Sequence, residues 1–272
     1  MKEKIMVFIP MYNCEKQIVR VLRQFDFKVK PYIDEIVIVN NRSTDNGEQA
    51  AIQEIKKIKD IKISLLRNVD NYGLGGSHKV AIDYATRNSF DYLIVLHGDD
   101  QGNIHDIVPF LEKREYRNYD CLLGARFHRY SKLEGYSWFR TLGNRFYNLL
   151  FSIVCGRKIY DLGSGLNMYN LKIFNDGFHI KFPDDLTFNY CMILGSIYHK
   201  HRIKFFPLTW REDDQISNVK LFRQAFQVLN LLRMYVLNKN KFFQIDHREQ
   251  AIAEYKSEMI YSNFPIKELH GV

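Results

Sequence analysis

Asp91-Tyr-Leu-Ile-Val-Leu96, running into His97-Gly-Asp-Asp-Gln-Gly-Asn103, is the stretch that decides how this chain folds. An apolar run of strand length, with no charge after Asp91, predicts a strand buried on both faces, as in a parallel sheet with helices on either side. Asp99 and Asp100 then stand at its carboxyl end, where open α/β sheets bind ligands. Carboxylates crowded together repel one another unless a cation lies between them. A hard divalent metal carrying a phosphate suits that position.

Outward from this strand the pattern alternates. Ile5 to Ile9, Glu35 to Val39, Ile61 to Leu66 and Cys121 to Leu123 have strand character. Cys14 to Phe25, Gly47 to Ile58, Ser77 to Arg87 and Ile104 to Leu111 have apolar residues at helical spacing. Such alternation predicts a mostly parallel sheet with right-handed crossovers. Beyond residue 125 the rhythm changes. Trp138 to Cys155 and Asp185 to His199 are helix candidates, Arg202 to Thr209 a strand, and Val219 to Leu237 an amphipathic helix. The polar tail carries one weak helical pattern near Arg248 to Met259. The economical division is one domain over residues 1–238, with a nucleotide-binding half to about 125 and an acceptor half over 126–238, followed by a C-terminal extension over 239–272.

Composition narrows the class. Hydrophobic content of 46% and charged content of 26% are those of an ordinary globular protein. Four scattered cysteines form no Cys-x-x-Cys pair, so a reducing, cytoplasmic setting fits better than a disulfide frame or zinc site. No stretch approaches the roughly 18 uninterrupted apolar residues of a spanning helix. The formal charge of +8 is concentrated between Glu112 and Lys158, where ten basic residues face four acidic ones among many aromatics. That segment suits anionic lipid or a phosphorylated substrate as well as plain solvent. Nucleic acid has only the net charge in its favour.

Three further loops fall at strand ends: Pro10-Met-Tyr-Asn13, Asn40-Asn-Arg-Ser-Thr-Asp45 and Asn71-Tyr-Gly-Leu-Gly-Gly-Ser77. Asn side chains can pair with an amide-like base edge, while Asp45 is placed either to cap a helix or to hold a ribose hydroxyl. Glycines let backbone approach a phosphate, yet His78 occupies the place of the third glycine of a dinucleotide fingerprint, and a plain turn is the simpler reading.

In order, Ile-Pro-x-Tyr-Asn, Asn-Asn-x-Ser-Thr-Asp, Asn-x-Gly-x-Gly and Gly-Asp-Asp-Gln resemble the inverting glycosyltransferase family 2, and within it the branch related to dolichyl- and polyprenyl-phosphate sugar transferases. The likeness continues through Gly124-Ala-Arg126, Asp161-Leu-Gly-Ser-Gly-Leu166 and Phe206-Pro-Leu-Thr-Trp-Arg211 to Lys220-Leu221. It implies a GT-A-type, Rossmann-like sheet flanked by helices with a helical C-terminal extension. It also implies a nucleotide-diphosphate sugar donor, and Mn²⁺ or Mg²⁺ as cofactor.

Carried over by residue, the resemblance assigns the donor to Pro10, Tyr12, Asn40, Asn41, Asp45, Asn71, Gly73, Gly75 and Asp99, with Arg126, Arg211 and Lys220 as phosphate contacts. Family members usually have aspartate where Asn40 and Asn41 stand, which leaves the base open. Metal candidates are Asp99, Gln101 and His97, with Asp100 behind them. His97 replaces the family's first aspartate, and imidazole suits Mn²⁺ better than Mg²⁺. A hydroxyl acceptor needs a general base, for which Asp185, Asp184 and Asp161 are the candidates; a phosphate acceptor needs none. Asp185 is equally placed as a helix cap.

The implied reaction is transfer to a lipid-linked or other glycan acceptor during surface polysaccharide assembly. The amphipathic, basic helices favour peripheral contact with the cytoplasmic face of a membrane, although core packing or a homo-oligomer interface would use the same pattern. Transfer to polyprenyl phosphate itself, a catalytically inactive nucleotide-sugar-binding relative and a nucleotidyltransferase are the alternatives.

Overall fold

The computed structural model describes residues 2–212 and 221–265. Its elements, in chain order, begin with β1 (Ile5–Met11), α1 (Glu15–Arg23), β2 (Glu35–Asn40), α2 (Gly47–Ile55), β3 (Lys62–Asn68), α3 (Gly73–Arg87) and β4 (Tyr92–Leu96). Next come α4 (Val108–Glu112), β5 (Cys121–Ala125), β6 (Lys132–Glu134), α5 (Trp138–Cys155), β7 (Leu166–Asn170) and α6 (Phe188–Tyr198). The chain continues through β8 (Ile203–Pro207), β9 (Thr209–Arg211), α7 (Leu221–Leu237), α8 (Lys239–Gln244) and β10 (Ser257–Ser262).

Eight strands form one sheet in the order β10-β3-β2-β1-β4-β7-β5-β8. Strands β1 to β4 pair in parallel, as do β5 and β8, while β7 and β10 run antiparallel to their neighbours. The mostly parallel sheet flanked by helices is therefore what the sequence led us to expect. All residues of β2 and β4 are buried, because helices cover both faces. One apolar cluster joins the α1, α2 and α4 side. The other joins α3, α5, α6, α7 and α8.

Connections leave β1 toward β2 on one side and reach β4 on the other. The crevice between the carboxyl ends of β1 and β4 is thus the topological switch point, where such sheets hold ligands.

Four elements depart from the sequence reading. The expected helix at 104–111 is a short 3₁₀ turn (Ile104–Asp106) and then α4, whose second residue is Pro109. The expected single strand at 202–209 breaks at Leu208, so β8 stays in the main sheet while β9 pairs with β6. Strand β7, inserted antiparallel between β4 and β5, went unread. The weak helix expected near 248–259 does not form: residues 248–256 belong to no helix or strand, and strand β10 follows them at the sheet edge, paired with β3.

Candidate active site

The loops at the strand ends are hydrogen-bonded into one floor. Gly98 N–H donates to the Pro10 carbonyl at 3.1 Å, and a Cβ at Gly98 would lie 2.7 Å from that oxygen. Only glycine lets β4's exit pass so close to β1. Asn41 N–H donates to the Met11 carbonyl at 2.9 Å. Its side chain donates to Asn71 Oδ1 at 2.7 Å and accepts from Asn68 Nδ2 and Tyr72 N–H, each at 2.9 Å. Asn40 is equally occupied, accepting from Ser43 N–H and donating to Glu48. Both asparagines are buried, while Tyr12 is 44% exposed. Asp45 caps two helices, its oxygens accepting the N–H groups of Glu15 and Gly47 at 2.9 and 3.0 Å. Of its two sequence readings, the cap is the one these contacts make.

At the end of β4 the two carboxylates part company. Asp100, in left-handed backbone at φ 62°, is 1% exposed. It accepts from Arg20 Nε at 2.6 Å, Gln24 Nε2 at 2.9 Å and the Arg211 guanidinium. This carboxylate braces the turn. Asp99 is only partly buried, and Gln101 N–H reaches it at 3.3 Å. Burial, reinforced by Asp100, pushes the Asp99 carboxyl up to about 6. His97 has its Nε2 buried without a hydrogen-bond partner among the described residues. Burial and the nearby Arg126 lower its imidazole to about 4, so it is neutral at physiological pH. Gln101 Nε2 donates to Glu212 at 3.3 Å.

The glycine-rich loop has a packing cause. Gly75 N–H donates to the Asp184 carbonyl at 2.7 Å, so the N-terminus of α3 is closed by the backbone of the Pro183–Asp185 segment. A Cβ at Gly75 would stand 2.3 Å from the Pro183 carbonyl oxygen, and one at Gly73 would stand 2.4 Å from that of Asp184. Gly75→Ala is therefore expected to cost about 1–3 kcal/mol in thermal unfolding, because neither backbone can yield cheaply. Gly143→Ala, in α5 with nothing within 4 Å of its Cβ, serves as the control and is expected to be neutral or mildly stabilising.

The three candidate bases differ in what already holds them. Asp184 accepts from Lys79 Nζ at 2.6 Å and from the Tyr255 hydroxyl at 2.8 Å. Asp161 accepts from Arg126 Nε and NH2, both at 2.8 Å, and from the backbone N–H groups of Arg126 and Gly163. Arg126 and Asp161 are both buried. Burial alone would lower the Arg126 pKa, but Asp161 outweighs it and raises it. Asp185 is exposed, ahead of α6; Oδ1 accepts from Thr187 N–H and Oγ, while Oδ2 has no hydrogen bond among the described residues. Arg211 braces the same turn through the Asp100 carboxylate and carbonyl. Lys220 lies outside the described residues.

Sequence reasoning missed Lys79 and Tyr255, which hold Asp184, and His78, which packs edge-on to Phe8 and tilted against Phe188, near His97. A signal existed for Lys79. It shares the apolar helical stripe Gly75, His78, Ile82, a position where a lysine stays only if partnered.

The family model described as glycosyl transferase family 2 matches residues 6–178. An undecaprenyl-phosphate 4-deoxy-4-formamido-L-arabinose transferase of Serratia proteamaculans is 28% identical over 175 residues, covering 63% of this chain and 50% of that protein. An uncharacterized protein of Methanocaldococcus jannaschii is 25% identical over 169 residues, covering 62% and 65%. The match thus spans about half to two thirds of these relatives' lengths. In fold, the chain is similar to glucosyl-3-phosphoglycerate synthase from Mycobacterium tuberculosis in complex with Mn²⁺, UDP-glucose and phosphoglyceric acid, with TM-score 0.61 at 14% identity over 89% of this chain and 80% of that one. It is also similar to Staphylococcus aureus TarS, with TM-score 0.55 at 17% identity over 86% and 66%. The GT-A-type architecture is shared with both.

Proposed function

Because the chain belongs to glycosyl transferase family 2, we propose that it moves a sugar from a nucleotide-diphosphate donor to a lipid-linked acceptor in surface-glycan assembly, with inversion at the anomeric carbon. The observation that carries this reading is the division of labour at the switch point. Asp100 braces the turn through Arg20, Gln24 and Arg211, and Asp99, one residue before it and only partly buried, stands at the same strand end as the linked Pro10, Asn41 and Asn71 loops.

These residues fit a divalent cation. Asp99 carries its charge at a cost that a cation would relieve, and His97 Nε2 is an orphaned nitrogen two residues away. Among the described residues no group of three or more His, Cys, Asp or Glu forms a cage. One carboxylate with substrate phosphates completing the shell is how Mg²⁺ and similar ions are often bound. We assign Asp99 as the ligand, with Gln101 and His97 beside it. When bound, the cation offsets charge on the departing diphosphate.

The chain's own residues do the rest. Tyr12 and the Asn41–Asn71 pair line the donor side, and Arg211 holds the metal-side turn in register. Asp185 is the base we assign, because its carboxylate is exposed while Asp184 and Asp161 are already paired to cations. In that role it takes the acceptor hydroxyl's proton as the oxygen attacks opposite the leaving diphosphate.

The name of the Serratia relative favours a second reading, in which the acceptor is polyprenyl phosphate and arrives already ionised. Transfer assays with Asp185→Asn separate the two. A hydroxyl acceptor loses about 10²–10⁴-fold in rate, whereas a phosphate acceptor is nearly unaffected. The whole reading is tested by donor turnover with and without EDTA. Turnover that survives both EDTA and Asp99→Ala, or release of pyrophosphate from a nucleoside triphosphate, would overturn it.

A further inference from the structure

Helix α5 is built inside out. Trp138, Leu142, Phe146, Leu149 and Ile153 are 54–77% exposed. At about 100° per residue they share an arc of about 80°, roughly opposite Phe151, which is fully buried. Such a stripe exceeds the scattered apolar residues that any surface carries. Helix α7, which buries its other face in the same cluster, repeats the arrangement with Phe226, Leu229, Val236 and Leu237 exposed.

The two helices and the segments flanking them carry basic but no acidic residues of their own, although Glu212 pairs with Arg140. No acidic residue lies between Glu134 and Asp161, a span holding Arg140, Arg145, Arg157 and Lys158. None lies between Asp214 and Asp246, a span holding Arg233, Lys239 and Lys241. Beside α5 runs a groove of about 630 Å³ whose lining combines apolar Phe127, Leu149, Ile153 and Ile159 with basic Arg145, Arg157 and Lys158. Apolar side chains and cations in one groove match a phospholipid's tail and headgroup. A second copy of this chain would bring equal positive charge to the same face.

We propose that the α5–α7 face docks on a bilayer surface carrying anionic lipid. No helix among the described residues is long and apolar enough to cross a membrane, so α5 would lie in the interface, its 18 residues spanning about 27 Å. The docked helix leads to the site. Arg140, in its first turn, pairs with Glu212 at 2.7 Å, and Glu212 accepts from Gln101. A lipid-borne acceptor beside α5 is thereby delivered to the crevice, which deepens the proposed transfer to lipid-linked acceptors and rests on that reading.

The full chain supplies its own probe, since Trp138 is 77% exposed and the other tryptophan, Trp210, only 3%. With vesicles of phosphatidylcholine and phosphatidylglycerol at 7:3, Trp138 emission should shift to the blue and be quenched by brominated lipid. Pure phosphatidylcholine should bind at least about tenfold more weakly. Leu142→Glu with Ile153→Glu, and separately Arg145→Ala with Arg157→Ala and Lys158→Ala, should each reduce partitioning about tenfold or more, with circular dichroism and donor hydrolysis unchanged. Wild type that ignores anionic vesicles, binds neutral ones equally, or is unaffected by both variants overturns the proposal. So does a wild-type dimer that the glutamate variant turns monomeric without any vesicle binding. Vesicle binding by a chain without donor turnover would instead sink the transferase reading alone.

Discussion

Asp99→Asn is expected to stabilise the metal-free protein above pH 6 while removing cation-dependent donor binding and about 10³-fold of transfer. The folded Asp99 carboxyl titrates near 6, against an ordinary value of 3.8. Between those values the native state binds more protons than the unfolded chain, so this group lowers stability progressively from about pH 4 to 6 and by a constant amount above. Asparagine keeps the shape and can still accept from Gln101 N–H, but carries no charge to desolvate. Because the carboxylate is partly open to water, the gain is about 1–2 kcal/mol, a rise of roughly 3–6 °C in Tm at pH 7.5 that vanishes near pH 4.

Ligand reverses the ranking. In Mn²⁺ and a nucleotide diphosphate the wild type should gain several degrees by mass action, and the variant none. Paired melting curves at pH 4.5 and 7.5, with and without ligand, read all four quantities. A variant that melts like wild type at both pH values, and responds equally to Mn²⁺ with nucleotide, would show Asp99 to be an ordinary surface carboxylate.

How much of this was legible depended on range. Strand β4 and its loop read plainly because burial on both faces leaves an unbroken apolar run. Strand β7 did not. Its sequence Leu-Asn-Met-Tyr-Asn carries buried Asn167, made tolerable by bonds to Ser164 and Gly124 that no local pattern announces. Strand β10 reads Ser-Glu-Met-Ile-Tyr-Ser, an edge alternation whose partner β3 lies about 190–200 residues earlier. The site followed the same rule. Which loops meet could be read from their positions at strand ends, but which carboxylates are already neutralised could not. That depends on Arg126 for Asp161 and on Lys79 and Tyr255 for Asp184, the last of these 71 residues away.

That neutralisation yields the largest stability effect. Arg126→Ala leaves the 2% exposed Asp161 carboxylate without its cation, and is expected to destabilise by about 3–5 kcal/mol, lowering Tm by roughly 10 °C. The guanidinium is also enclosed by the Phe127, Tyr136 and Trp210 rings, whose centroids lie 5.5, 5.8 and 5.0 Å from its carbon. Arg126→Lys should recover only part of the loss, since an ammonium cannot make the bidentate pair or stack on the rings. Removing both charges is different. Arg126→Met with Asp161→Leu leaves nothing unpaired, and most of the stability should return. If instead Arg126→Ala melts like wild type and only weakens donor binding, the arginine is a phosphate contact and the pair is incidental. The structure argues against that outcome, because a guanidinium held by two 2.8 Å bonds to a buried carboxylate would have to abandon it to reach a diphosphate.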